Sequence, residues 1–329
     1  MTNKDKICEQ LNDKEFITGT ILAERLGITR SFVSKAVKEL QADGVQIITK
    51  RQHGYKFAEG YDYINKKIIK ENLNTKYIGS NIIVLNSVDS TNDYAKQLAK
   101  SEFENGTIVI SDNQTGGKGR MGRKFFSPHN FGLYYSVLLK PEISIELSQY
   151  ITACAAVATA ETIDKLGDTE TEIKWVNDIY LGGKKLVGIL TEASIGFEEC
   201  SLDYVVIGIG INVFAVRKHL PRELFNVATS IEDETGKRLS RSVLAAELSN
   251  NLEKQLDNIA SGDFIKTYRE KSCIMGKKVS VIQNGKEVIG TAIDIDDKAA
   301  LVVQFDNGEI LHLNSGEARI VPGQISTFC

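Results

Sequence analysis

The chain has 329 residues, 42% hydrophobic and 25% charged, with 27 Gly and 4 Pro, which fits an ordinary globular protein of two or three domains. No apolar run approaches the roughly 18 residues of a membrane span, the opening is polar and of mixed charge, and five scattered cysteines (Cys8, Cys154, Cys200, Cys273, Cys329) form no C-x-x-C. A membrane protein, a secreted disulfide framework and a zinc ribbon are thereby set aside, and a cytoplasmic protein with reduced thiols is expected; the net charge of −3 says little, but residues 28–56 hold six basic and two acidic side chains.

Residues 4–11 read as a short helix. Thr18 or Thr20 can cap a second, which Gly27 ends, and Thr29 caps a third reaching Ala42. On the third, Val33, Ala36, Val37 and Leu40 make one apolar face. Arg30, Ser31, Ser34, Lys35 and Lys38 occupy the other, with donors suited to phosphates and base edges. Val45, Ile47, Tyr55 and Phe57 then alternate around a basic tip containing Lys50 and Arg51. The helices alone fit a DNA-binding helix-turn-helix or a three-helix interaction module; the basic wing favours DNA. Residues 61–74 are expected to be a linking helix.

The strand 82–85 runs into Asp89-Ser90-Thr91-Asn92, where Ser90 and Asp93 have capping-box spacing. A second strand, 107–111, leads into Gln114-Thr115-Gly116-Gly117-Lys118-Gly119-Arg120-Met121-Gly122-Arg123-Lys124, with four glycines and four cations. Such a segment is either a phosphate-binding loop or a solvated basic loop. Gly117-x-Gly119-x-x-Gly122 matches the dinucleotide pattern literally, but no helix pattern follows it, so that fold is rejected.

Farther on, 131–139 is an apolar strand and 146–166 an alanine-rich helix. Residues 173–180 read as a strand interrupted by Asn177-Asp178. Gly182-Gly183 turns the chain into a strand over 184–192, on which only one of Lys184 and Lys185 can point into the sheet. Residues 205–213 form a buried strand in which Gly208 and Gly210 leave room for a ligand or a close-packed helix. Helices follow over 243–259 and 264–271, then short strands with hairpin turns at Asn284-Gly285 and Asn307-Gly308.

These residues resemble the class II, BirA-like biotin–protein ligases, which also repress biotin-synthesis genes. The resemblance spans nearly the whole chain and rests on Asp89-Ser90-Thr91-Asn92, Gly117 to Arg123, Lys174-Trp175-Val176-Asn177-Asp178, Lys185 to Leu190 and Gly208-Ile209-Gly210-Ile211-Asn212. It implies an α+β protein: a winged helix-turn-helix over 1–60, a linking helix over 61–74, a mixed-sheet ligase domain with helices over 75–272, and an SH3-like β-barrel over 273–329. It also implies activation of biotin by ATP with Mg2+, then transfer to a lysine of a biotin carboxyl carrier domain of a carboxylase. Operator DNA and an adenylate-linked homodimer are the other implied partners, and no membrane is involved.

By the same resemblance, Ser90, Thr91 and Gln114 bind biotin's ureido ring, Asn92 is a further biotin-binding residue, and Lys118, Gly119 and Arg120 close over biotin and the adenylate. Lys185 and Arg120 carry the chemistry, with Lys185 on the carboxylate and bridging phosphate. Arg120, Arg123, Phe125, Asn177, Asp178 and Asn212 bind nucleotide, Asp178 lying near magnesium. Four positions depart from the family pattern: Lys118 replaces an arginine, Phe125 a tryptophan, Val176 a proline, and Asn314 the C-terminal arginine of some relatives. Lipoate and octanoate transferases share the catalytic fold but would not be expected to carry the winged helix.

Overall fold

A computed structural model describes residues 2–140, 147, 150–195, 202–283 and 286–321. The chain begins with three helices, α1 (Asn3–Gln10), α2 (Gly19–Leu26) and α3 (Arg30–Ala42), and a hairpin of β1 (Ile47–Lys50) and β2 (Gly54–Phe57). Thr2, Thr18 and Thr29 each accept a backbone N–H in the first turn of their helix, and Gly27 ends α2 at φ 65°. The apolar face of α3 is buried against Ile7, Cys8 and Leu22. Arg30, Ser31, Lys35, Lys38, Lys50 and Arg51 are exposed, and Ser34 is half-buried.

The linking helix is shorter than the sequence pattern suggests. Only α4 (Lys66–Asn72) is helical, capped by the Asn65 side chain. Tyr61 and Tyr63 instead pack their rings on Phe57, while Asp62 turns toward Arg241 and Ile64 joins the central core, so 61–65 is shared between the first domain and the central one. Ring burial and a charged tether override local helical periodicity here.

The central elements are β3 (Ile82–Leu85), α5 (Thr91–Leu98), β4 (Thr107–Ser111), β5 (Gly132–Leu139), α6 (Tyr150–Gly167), β6 (Glu172–Lys174), β7 (Asp178–Leu181), β8 (Lys184–Ile195), β9 (Leu202–Asn212), α7 (Val216–His219), α8 (Ile231–Thr235), α9 (Arg241–Asp257) and α10 (Phe264–Glu270). Seven strands form one sheet in the order β3-β4-β5-β9-β8-β7-β6; β3 and β4 are parallel and the other pairs antiparallel. The expected start of the alanine-rich helix, at 146, 148 and 149, lies outside the described residues, as do Cys200, Cys329 and the Asn284-Gly285 turn. The expected single strand over 173–180 is two. Lys174 pairs with Asp178 across a reversal at 175–177, fixed where Trp175 Nε1 donates to the Ala299 carbonyl (3.2 Å) and Asn177 Nδ2 to the Ile189 carbonyl (2.6 Å).

Strand alternation divides the sheet into two faces. Ile108, Ile110, Leu133, Tyr135, Val137, Ile207, Ile209 and Ile211 join the main core with α6 and α9. Val109, Leu138 and Val206 pack with Ala95 of α5 on the other side. A final antiparallel sheet holds β10 (Lys278–Gln283), β11 (Lys286–Ile295), β12 (Leu301–Gln304), β13 (Ile310–Leu313) and β14 (Arg319–Ile320), in the order β13-β12-β11-β10-β14. The two-residue β14 carries no strand pattern in the sequence.

Arg241, at the start of α9, is fully buried. It donates to the Asp62 carboxylate through Nε (3.0 Å), to Asp112 through Nη1, and to the carbonyls of Asp62 and Gly132. Asp112 also meets His129 Nδ1 (2.9 Å). Burial alone would raise the Asp112 pKa, but the Arg241 charge and the His129 bond outweigh it and hold the carboxyl below its usual range. Removing the guanidinium would strand two partly buried carboxylates. Arg241→Met is therefore expected to cost about 3–5 kcal/mol in urea unfolding at neutral pH; a change below 1 kcal/mol would show that the network contributes little.

Candidate active site

The site begins with small residues on one face of the sheet. Ser136 lies opposite Gly208, and Gly208 opposite Leu190; one pleat along, Tyr134, Gly210 and Gly188 align. A Cβ at Gly208 would strike the Asn92 amide, and one at Gly210 or Gly188 would press on the Phe125 ring. These glycines thus create the hollow over which Asn92 and Phe125 lie. The resulting cleft is open to solvent, and its empty space, counting the part continuous with solvent, is about 970 Å³.

At its inner end Ser90 caps α5. The Thr91 N–H and hydroxyl donate to Gln114 Oε1 (2.9 and 3.1 Å), and Gln114 Nε2 donates to Ser127 Oγ (2.9 Å). Asn92 is buried and fully engaged: its Nδ2 donates to Glu192 and the Leu190 carbonyl, and its Oδ1 lies 2.7 Å from Ser136 Oγ. It supports the wall rather than offering free groups. The capping box forms in one direction only. The Asp93 N–H reaches Ser90 Oγ at 3.4 Å, while its carboxylate meets Lys118 (2.6 Å) and Lys96 (2.9 Å). Those ammonium groups outweigh burial and lower the Asp93 pKa.

The glycine-rich segment roofs the cleft. It doubles back on itself, with the Gly119 N–H donating to the Arg123 carbonyl (2.7 Å) and Phe125 N–H to the Gly117 carbonyl (2.9 Å). Met121 (φ 56°) and Gly122 (φ 74°) make the tip, where Met121 is 76% exposed. Arg120 Nη1 approaches Asn177 Oδ1 at 3.3 Å. Arg123 meets Glu317 through both terminal nitrogens, at 2.9 and 2.6 Å. The Arg123 bonds, with help from Arg319, hold the Glu317 carboxyl down to about 2 against an ordinary 4.5. This pair's contribution to stability is therefore present at neutral pH and lost only as pH falls from about 4.5 toward 2.

At the other end Lys185 Nζ lies 2.6 Å from Asp178 Oδ1. The hairpin at Gly182 (φ 58°) and Gly183 (φ 74°) and a register shift beside Tyr180 bring the two strands together. The segments expected at the site, Ser90 to Asn92, Gln114, Lys118 to Arg120, Arg123, Phe125, Asn177, Asp178 and Lys185, all line this one cleft. Asn212 does not: it is buried, and its Nδ2 donates to the Thr229 carbonyl (2.8 Å). Tyr134, Trp175 and Glu317 line the cleft without having been anticipated. Among the described residues no group of three or more His, Cys, Asp or Glu side chains could hold a metal.

Residues 84–212 match the biotin/lipoate A/B protein ligase family, 3–56 an HTH domain, and 274–319 the biotin protein ligase C-terminal domain. The chain belongs to the biotin–protein ligase family, in the branch that joins the ligase to an N-terminal helix-turn-helix domain. It is 32% identical over 297 residues to the bifunctional ligase/repressor BirA of Bacillus subtilis, covering 89% of this chain and 91% of that protein. The Escherichia coli protein of the same description is 31% identical over 304 residues, covering 92% of each. Among solved structures, a biotin protein ligase from Aquifex aeolicus in complex with biotin and ATP superposes with a TM-score of 0.61 at 27% identity, over 74% of this chain and 99% of that one.

The glycine hollow makes a direct prediction. Gly210→Ala should displace the Phe125 ring and cost about 1–3 kcal/mol in chemical denaturation, as overpacking does. Unchanged stability would mean that the ring moves aside freely.

Proposed function

We propose that this protein condenses biotin with ATP to biotinyl-5′-AMP and transfers the biotinyl group to a lysine of a biotin carboxyl carrier domain. In its adenylate-bearing state it represses genes through its N-terminal domain. The observation that carries this reading is one cleft with two different ends. One end offers the hydroxyls and amide of Ser90, Thr91 and Gln114, suited to a neutral urea-like ring; the other gathers Lys185, Arg120 and Asn177, suited to a carboxylate and phosphates.

In the first step a biotin carboxylate oxygen bonds to the α-phosphorus, the bond to the β-phosphate oxygen breaks, and pyrophosphate leaves. Lys185 and Arg120 stabilise the charge that develops between carboxylate and phosphate. Phe125, on its glycine bed, covers the adenine. In the second step the carrier lysine's neutral amine attacks the acyl carbon, an amide forms, AMP leaves, and the amine gives up its proton. No covalent enzyme intermediate is needed; the work is positioning and charge stabilisation. Magnesium, as the nucleotide's companion ion, would neutralise phosphate charge. With Asp178 as its assigned protein ligand, the site fits an ion held mainly by substrate phosphates rather than by a protein cage. Lys118, Gly119 and Asn92 belong to the biotin side, and Arg123 and Asp178 to the nucleotide side. Asn212 acts behind the wall, through Thr229.

We assign the DNA-binding domain to 1–60, the connection to 61–74, the ligase domain to 75–272 and the C-terminal domain to 273–329. The exposed cations Arg30, Lys35, Lys38, Lys50 and Arg51, with Ser31 and Ser34, face operator DNA, and the adenylate favours a homodimer matching a two-fold site. The protein acts in the cytoplasm, and among the described residues no helix is long and apolar enough to cross a membrane.

The test is intact-mass analysis of a carrier domain incubated with biotin, ATP and Mg2+. Wild-type protein should add one biotinyl group, and Lys185→Ala should slow this by roughly 100-fold or more without unfolding. Equal rates would remove Lys185 from the mechanism. For the DNA face, Lys35→Ala should reduce the salt dependence of operator binding by about one phosphate contact in gel-shift titrations. An unchanged slope would place Lys35 outside the interface.

A further inference from the structure

The C-terminal domain enters the cleft with an acid rather than a base. Gly316, Glu317 and Ala318 line it together with Arg123. Asn314, where some relatives carry arginine, has no cation to offer the phosphates. Glu317 nevertheless stands on a rigid base. Ala318 beside it is fully buried in the main core, and Arg319 and Ile320 pair with Ser280 and Val279. Its partner Arg123 sits on the roof, beside a tip that is largely exposed. Both guanidinium terminal nitrogens are engaged, one per carboxylate oxygen, and Arg319 Nη2 adds a third bond to Glu317 at 3.2 Å. Arg123 lines the same cleft as Asp178, the residue the ligase reading puts beside the phosphates.

We propose that Glu317 is a positioning residue: it fixes the fork of Arg123, and with it the nucleotide side of the roof, so that the C-terminal domain contributes to ATP binding through the loop rather than by touching the nucleotide. This rests on the ligase reading. A two-point carboxylate–guanidinium contact fixes orientation as well as distance, which a single ammonium partner cannot do. The acid does not repel the phosphates as a free carboxylate would, because Arg123 and Arg319 neutralise it. The biotin end has its own tether, Lys118 to Asp93, so the loss of Glu317 should fall mainly on the nucleotide side.

The test compares Glu317→Gln, Arg123→Lys and the double variant in biotin-dependent pyrophosphate release, with ATP and biotin varied separately. Glu317→Gln should raise KM for ATP about fivefold, as a partly exposed charge-assisted pair allows, and leave kcat and KM for biotin within twofold. Arg123→Lys should behave alike, and the double variant should be no worse than the poorer single. Additive losses, an unchanged KM for ATP, or a lowered one, which would make Glu317 an obstruction to ATP, would each overturn the proposal. Limited trypsin cleavage at Arg120–Lys124 is read in parallel without substrates. Glu317→Gln should be nicked several times faster than wild type at equal thermal stability, and equal nicking would overturn the proposal whatever the activity. Wild-type protein that releases no pyrophosphate would contradict the ligase reading instead, while the nicking comparison would still decide the Glu317–Arg123 contact.

Discussion

A single buried guanidinium holds the protein's parts in register. Arg241 is a charge with no access to water, and such a charge is tolerable only where carboxylates and carbonyls surround it. Its partners come from three places: the segment leaving the winged domain (Asp62), the end of β4 (Asp112) and the start of β5 (Gly132). Asp112 stands two residues before Gln114, and His129, bonded to Asp112, two residues after Ser127. The inner wall of the cleft is therefore built on the same two segments that anchor the DNA-binding domain. The ring of His129 also lies under Gly44, just beyond the helix that presents Arg30 and Lys35.

The cleft follows from what the central strands omit. With Gly188 opposite Gly210 and Gly208 one pleat along, the sheet has a bare patch, covered by Asn92 at one end and Phe125 at the other. The cations divide by location. Lys118 is tied to α5 and Arg123 to the C-terminal domain, while Arg120 and Lys185 approach Asn177 and Asp178 at the end away from Ser90. A neutral polar end, an aromatic bed and two cations at the opposite end suit a ligand that joins a urea-like ring to an acyl phosphate. The structure thereby links the substrate class to packing rather than to any one reactive group.

Much of this was legible in the sequence where the signal was local. The threonine caps, Gly27, the apolar stripe of α3 and the Gly182-Gly183 turn all follow from residue chemistry within one or two turns of chain. The grouping of Ser90, Gln114, Arg120 and Lys185 came from motif order, since their contacts bridge distant segments. The misreadings share a cause. Tyr61 and Tyr63 break an apparent helix because their rings find Phe57; 173–180 splits because Trp175 is drawn to the carbonyl of Ala299; and the amide of Asn212 turns to Thr229. Glu317 left no trace in the sequence, because nothing near it in the chain indicates that a loop almost two hundred residues earlier supplies its partner. Long-range polar pairing is invisible to periodicity and emerges only in the fold.

The central claim is that the cleft activates biotin's carboxylate with ATP, and isotope exchange between ATP and pyrophosphate measures that half-reaction without carrier or DNA. Purified protein should catalyse exchange when biotin is added and show none with lipoate or octanoate. Exchange driven by either of those acids instead, or by no acid at all, would contradict the account.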